Sequence, residues 1–399
     1  MMSMRKLGLS LPQLYGAAVT SQSAATAAAA SAAVATNRRH LSTQDAGATT
    51  KPPKTPKRVV FISQSTNVFA NLAFEAWMYK NWCFDKKQVL FLWRNSPCVV
   101  IGRHQNPMVE ANLPYLASAG VPVARRSSGG GTVYHDEGNL NCTFFTSRDR
   151  YNRKENLGVI CRALGEDFGI QAAVNDRDDI VVEDQFKVSG SAAKLGRTTA
   201  YHHCSLLVKA DKMQLKLALQ GDKTIDSKAT ASVPAPVINL SELKTDLTVD
   251  QLLTSIGRSY LHSANGSASL TPEQLYQRSN GYALINPSED WFPGLQGLQE
   301  ELSSKSWLHE KTPRFTITRP VTLPECIAHD TTVNVSIQAY HGHIEEVKVV
   351  GHDVCPDVAE LVQEVGKAMK GSQFSLDTFP DLVNRMRLPQ PLRTQRVVV

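Results

Sequence analysis

Hydrophobic positions along the chain come in short runs, and their spacing switches repeatedly between two and about 3.6 residues. Val59–Ser63 reads as a strand. Asn67–Trp82 reads as a helix, because Phe69, Ala73 and Trp77 with Leu72, Ala76 and Tyr79 make one broad apolar face. Val89–Trp93 and Cys98–Ile101 are strand-like runs parted by the polar turn Asn95-Ser96-Pro97. Val121–Arg125, Thr132–His135 and Leu140–Thr146 predict further strands broken by glycine. Leu157, Ile160, Leu164 and Phe168 then predict a helix over Lys154–Phe168. Ile180–Glu183, Phe186–Ser189 and Tyr201–Lys209 resume the strand pattern, and Thr248–Ala264 is the best helix beyond residue 235.

Trp291-Phe292-Pro293-Gly294 marks a break. After it Val333, Val335, Ile337 and Ala339 alternate, His341-Gly342-His343 turns, and Ile344–Val350 returns, which predicts a hairpin with one buried face. Val358, Leu361, Val362, Val365 and Met369 mark a closing helix. Strands and helices mixed without a regular β-α-β rhythm give an α+β fold class. A chain of 399 residues is long enough for two domains, and the break divides it into residues 59–290 and a small α+β unit over 291–399.

The N-terminus has a different character. Residues 1–44 carry Arg5, Lys6, Arg38 and Arg39, many Ala and Ser, and no acid before Asp45, the composition of a mitochondrial targeting segment. Cleavage is expected between Arg39 and Ser42, followed by a Pro-punctuated linker over 45–58. The expected location is the mitochondrial matrix. Losing four basic residues takes Lys+Arg from 43 to 39 against 37 Asp+Glu, so the formal charge falls from +6 to about +2. That near-neutral body gives no case for nucleic-acid binding. No run approaches the roughly 18 apolar residues of a membrane span. Seven scattered cysteines without a C-x-x-C pair predict reduced thiols and no structural metal.

Three segments carry chemistry. Arg125-Arg126-Ser127-Ser128-Gly129-Gly130-Gly131-Thr132-Val133-Tyr134-His135-Asp136-Glu137-Gly138-Asn139 joins two planar cations to three glycines whose amides can face an anion. No Gly-Lys-Ser/Thr follows, so this is not a Walker loop. Lys187-Val188-Ser189-Gly190-Ser191-Ala192-Ala193-Lys194 sets a lysine between apolar neighbours and ahead of small residues that permit close approach. Gly102-Arg103-His104-Gln105-Asn106-Pro107 is a polar knot directly after the Val99–Ile101 run.

In this order the three segments resemble the lipoate-protein ligase A family, whose signatures include G-R-x-Q-N-P, R-R-S-S-G-G-G-x-V-x-H-D-x-G-N and K-V-S-G-S-A. Asn71–Glu75, His202-His203, the stretch from Val237 and Thr312–Phe315 agree with it, so the resemblance spans roughly residues 60–395. Gly196–Cys204 resembles the animal mitochondrial lipoyltransferases within the family.

The resemblance implies a catalytic domain like that of biotin protein ligases and class II aminoacyl-tRNA synthetases. It implies transfer of a lipoyl group from lipoyl-AMP to a lysine of lipoyl domains, those of 2-oxo acid dehydrogenase acyltransferase subunits and the glycine-cleavage H protein. Lys187 would contact the acyl carboxyl and α-phosphate as an electrostatic clamp. Arg126, Gly131, Thr132, Val133, Tyr134 and Asp179 would line the nucleotide site, with Ser127 and Lys194 near the acyl chain. No permanent cofactor or metal is implied, and the expected state is a monomer. Two positions depart from the family pattern. Arg177-Asp178-Asp179 stands where bacterial members often carry Arg-Asn-Asp, and Lys194 where they often carry Arg.

Other readings stay open on the same residues. An ATP-dependent ligase would use the same loop, with ATP and Mg, to make its own lipoyl-adenylate. A nucleotide-free relay would pass the acyl group between lipoyl proteins. Cys204 after His202-His203 could form an acyl-enzyme, and a decayed site would leave a protein that only binds lipoyl domains.

Overall fold

The computed structural model describes residues 56–262, 281–325, 327, 331–351, 354–375 and 377–388. The expected targeting segment and cleavage site, most of the expected linker and the end of the helix expected to reach Ala264 lie outside the described residues.

The centre is a six-stranded sheet. Its strands are β1 (Lys57–Ser63), β2 (Lys87–Trp93), β6 (Asn139–Ser147), β10 (Ser189–Leu195), β11 (Thr199–Leu207) and β13 (Tyr282–Ile285), in the order β10-β11-β6-β2-β1-β13. The pairs from β10 to β2 are antiparallel, whereas β2-β1 and β1-β13 are parallel. Three-residue β4 (Val123–Arg125) and β5 (Val133–His135) flank β3 (Cys98–Ile101) in a second sheet. A third holds β7 (Ala172–Val174), β8 (Ile180–Val182) and β9 (Phe186–Lys187).

Alternation along the central strands feeds two cores. Leu90 and Leu92 of β2 with Leu140, Cys142 and Phe144 of β6 pack under α2 (Arg153–Phe168) and α3 (Val249–His262). Val89, Phe91 and Trp93 with Phe145 face α1 (Val68–Asn81) and α4 (Leu295–Ser303) on the other side. Asn67 caps α1 by accepting from the amides of Phe69 and Ala70, which satisfies two of the donors that a helix start leaves open.

β1 begins two residues earlier than the hydrophobic pattern indicates. Lys57 and Arg58 pair with Lys87 and Gln88, and Arg58 Nη1 donates to the Tyr260 carbonyl at 2.9 Å. They belong to the sheet and not to the linker.

The region after residue 290 also differs from its sequence pattern. Phe292, Leu295 and Leu302 pack in the α1 core, with the Phe292 ring 4.8 Å from Phe74. A separate core begins at Phe315, where β14 (Phe315–Thr322), β15 (Thr332–Tyr340) and β16 (His343–Val350) pack on α5 (Pro356–Met369) and α6 (Thr378–Met386). β12 (Asp226–Ser227) joins the edge of that sheet through β14. The expected hairpin and closing helix are both present, and the fold is α+β.

Candidate active site

A cavity of about 300 Å³ opens on the α1 face of the central sheet, at the small end of the range for ligand pockets. The strand register builds its floor. Trp93, Asn141, Ser205 and Gly190 form one row across β2, β6, β11 and β10, and His203 and Ala192 line the cavity from the next row. Leu72, Val100 and His135 close one end, while Arg177, Asp179 and Lys187 stand at another part of the wall.

Lys187 is held by its backbone on two sides. It pairs with Val181 of β8, and its amide donates to the Pro236 carbonyl at 2.9 Å. Its Nζ lies 2.9 Å from Asp179 Oδ2. Asp179 is placed by the preceding turn, where the Asn175 side chain accepts from the Asp179 amide at 3.0 Å. The middle residue of that triplet, Asp178, accepts from Arg153 Nη1 at 3.0 Å and is not part of the cavity lining.

The glycine loop lies against the same cavity. Gly130 adopts φ +85°, and a Cβ there would come within 3.1 Å of the Ala192 Cβ. A Cβ at Gly102 would stand 2.1 Å from the Gly130 carbonyl oxygen. Both glycines are therefore required by close approach.

Arg126 is committed to this loop. Its guanidinium donates to the carbonyls of Val100, Gly129 and Gly131 at 3.1, 2.6 and 2.7 Å, and to Ser128 Oγ at 3.0 Å. Burial lowers its pKa to about 10, so it keeps its charge. Arg125, fully buried, donates to the carbonyls of Gly102, Arg103, Gln105 and Leu308 and to Thr312 Oγ1. It ties the loop to the start of the C-terminal unit.

Beneath Arg126 runs a buried chain of hydrogen bonds. Ser128 Oγ lies 2.8 Å from His203 Nε2, and His203 Nδ1 lies 2.8 Å from Glu75 Oε2. That oxygen also accepts from Thr143 Oγ1 at 2.9 Å. Burial raises the Glu75 pKa, but the His203 ring and the hydroxyls around it more than offset this, and the net direction is down. Glu75 thus stays ionised in the core.

A segment over residues 230–233 covers the loop. Ser232 Oγ accepts from the Thr132 amide at 2.9 Å and itself donates to Glu110 Oε2. Gln105 links both parts, accepting from Thr132 Oγ1 at 2.8 Å and donating to the Thr230 carbonyl at 3.2 Å. Gly102-x-x-Gln105 is therefore a brace for the glycine loop.

The arrangement provides a groove lined by Arg126, Arg177 and Lys187 and by a loop of close-approaching backbone. Among the described residues no group of three or more His, Cys, Asp or Glu could hold a metal ion.

Residues 67–260 match the description of the lipoyl protein ligase A/B catalytic domain. The chain is 38% identical to the mitochondrial lipoyl amidotransferase LIPT1 of Mus musculus, over 79% of this chain and 82% of that protein. It belongs to the lipoyl protein ligase A/B family. It is also 35% identical to lipoate-protein ligase A of Bdellovibrio bacteriovorus, over 79% of this chain and 89% of that one. The crystal structure of P. falciparum LipL1 in complex with lipoate superposes with a TM-score of 0.54 at 25% identity, covering 83% of this chain and 95% of that one.

Within this lipoyl ligase fold the expected site residues separate into two groups. Lys187, Asp179, Arg126, Gly131, Thr132 and Val133 all line the cavity. Tyr134 points away, into a core with Val99, Ile101 and Leu116, as strand alternation from Val133 and His135 requires. Ser127 and Lys194 are not among the lining residues. Lys194 instead lies over the Tyr79 ring, 4.4 Å from its centroid.

Asp136 and Gly138, near the end of the long motif, are architectural. Asp136 accepts from the Gly138 and Asp211 amides at 2.9 and 2.8 Å, and Gly138 leaves no room for a Cβ beside the Lys209 carbonyl. Sequence reasoning missed Glu75, Ser128 and Asn141. A glutamate among apolar residues in Asn71–Glu75 was the available signal for Glu75.

Proposed function

We propose that this chain takes the lipoyl group of lipoyl-AMP and joins it to a lysine of a lipoyl domain. The enzyme is an acyltransferase that forms an amide on a lysine. The observation that supports the adenylate reading is that Lys187 lines the same cavity as Gly131-Thr132-Val133. A cation there suits a site where carbonyl oxygen and phosphate would meet.

In that reaction the lysine amine attacks the anhydride carbon, a C–N bond forms, and the bond from that carbon to the phosphate oxygen breaks as AMP leaves. Negative charge builds on the carbonyl oxygen and then on the phosphate. Lys187 stabilises both in a groove that restricts water, an electrostatic role and not a nucleophilic one. Alignment of the amine supplies further rate.

The acceptors we assign are the lipoyl domains of 2-oxo acid dehydrogenase complexes and the glycine-cleavage H protein, met by a monomer in the mitochondrial matrix. The mitochondrial name of the mammalian relatives and the acid-free leader support that location. We draw the boundary of the catalytic unit after His309, since Trp291–His309 packs with the first domain and Phe315 begins the second core.

The second reading, an ATP-dependent ligase, is favoured by the similarity to lipoate-protein ligase A. Incubating the purified chain and a lipoyl domain with lipoyl-AMP, or with lipoate, ATP and Mg, separates the two. Modification from the adenylate alone supports transfer. Equal modification from lipoate and ATP would replace that reading by the ligase one.

A further inference from the structure

Two buried side chains at one end of the cavity present polar atoms that no protein group satisfies. His135 and Asn141 are each 3% exposed, and both line the cavity beside Leu72, Trp93 and Val100. Neither His135 Nε2 nor Asn141 Nδ2 has a hydrogen-bond partner. A buried polar group left unsatisfied costs about 1–3 kcal/mol, so two at one wall call for a ligand.

The hydrogen-bond chain behind His135 defines what its free nitrogen offers. Asn71 Nδ2 faces the Ser65 and Arg94 carbonyls, each at 3.0 Å, so it is an amide N–H group. It therefore meets Asn95 through Asn95 Oδ1, at 3.0 Å. That turns the Asn95 amide nitrogen toward His135 Nδ1, at 3.1 Å, and Nδ1 must accept. The proton of the neutral ring then sits on Nε2, a donor without a protein partner on a residue that lines the cavity. Burial first, then Arg126 and His203, hold the ring in its neutral form. Asn141 Oδ1 is occupied by Asn139 Nδ2 at 3.2 Å, which leaves its own N–H group as the second donor.

Two neutral donors on a wall shared with Leu72, Trp93 and Val100 fit an acyl tail that carries weak acceptors far from its carboxyl. A lipoyl tail has two ring sulfurs, and thioether-like sulfur accepts weakly. A straight alkyl tail has no acceptor and would bury both N–H groups unpaired. From this we infer that His135 and Asn141 are specificity-determining residues which read the sulfur end of the acyl group and favour lipoyl over an octanoyl chain of similar length. The inference rests on the lipoyl-AMP reading above. It adds the polar basis of chain selection to that reading.

The test compares transfer from lipoyl-AMP and from octanoyl-AMP to one lipoyl domain, by intact mass, for the wild type, Asn141→Leu and His135→Gln. Asn141→Leu removes a donor at similar volume, and His135→Gln can restore one. Asn141→Leu should lower the lipoyl-to-octanoyl ratio of kcat/KM about threefold to tenfold, the factor expected for one net hydrogen bond. Octanoyl transfer should fall less than lipoyl transfer, and His135→Gln should keep more of the preference than His135→Phe. Calorimetric affinity for the two adenylates should change in the same ratio. An unchanged ratio in Asn141→Leu and His135→Phe, whether both substrates fall together or neither does, overturns the inference. A wild type that transfers neither acyl group would instead overturn the reading on which it rests.

Discussion

Lys187 Nζ and Asp179 Oδ2 stand 2.9 Å apart on the wall of the cavity, with both side chains mostly withdrawn from solvent. The carboxylate keeps the ammonium group in place, while its negative charge opposes any phosphate that approaches. Positioning and repulsion predict opposite effects of removing it. Asp179→Asn should bind the adenylate as tightly as the wild type or tighter, and should transfer within about tenfold of it. Titration calorimetry and single-turnover rates check this. A rate loss as deep as that of Lys187→Ala would give the carboxylate a direct chemical part.

Arg126→Ala removes a cation whose donors all go to protein acceptors, so its first effect should be on the loop. The carbonyls of Val100, Gly129 and Gly131 and the Ser128 hydroxyl lose their partner, and leaving a buried polar group unsatisfied costs about 1–3 kcal/mol. Denaturant unfolding should show that loss, with weaker adenylate binding accompanying it. A variant of unchanged stability that still fails to bind would restore Arg126 to a direct ligand role.

His135 gives the protein an acid sensitivity of predictable sign. Its pKa is pressed down to about 3, by burial first and then by Arg126 and His203. The unfolded imidazole takes up a proton near pH 6.5, as usual for histidine. Between those values the unfolded chain binds the proton and the folded chain refuses it. The contribution is complete above pH 6.5 and is lost as the pH falls toward 3, at up to about 1.4 kcal/mol per pH unit. His135→Gln should flatten the decline in stability between pH 6 and pH 4. An identical slope in both proteins would contradict the neutral buried ring.

Cys204→Ala should retain transfer within about threefold. Cys204 borders the cavity between His203 and Ser205, but its side chain packs with Cys142 and Leu206 in the core under α2. Strand alternation turns the sulfur toward that core. A hydroxylamine-labile adduct on the wild type that disappears in the variant would revive the acyl-enzyme route.

The chemistry-bearing segments were legible because each is written in consecutive residues. Arg125–Asn139 and Lys187–Lys194 contribute to one cavity, Gly102–Pro107 braces the loop through Gln105, and Cys98–Ile101 has the bounds its apolar run indicates. What stayed hidden depends on pairing across long separations. β10 reads as a small-residue stretch because Ala192 and Gly190 must admit the glycine loop, and it becomes a strand only through β11. β13 joins β1 from more than 200 residues away. Arg126 read as an anion ligand from its charge, yet its donors are used by backbone that no local pattern places beside it. The link from Glu75 through His203 to Ser128 likewise joins three elements that the sequence keeps apart.

The most direct test of the account is single-turnover transfer from lipoyl-AMP to a lipoyl domain, followed by intact mass, in the wild type and in Lys187→Ala. The wild type should add one lipoyl group without ATP, and Lys187→Ala, folded to the same degree, should be slower by about 10²–10³ or more, the loss typical of a missing oxyanion-type donor. Transfer by Lys187→Ala within tenfold of the wild type would contradict the clamp at the centre of this account.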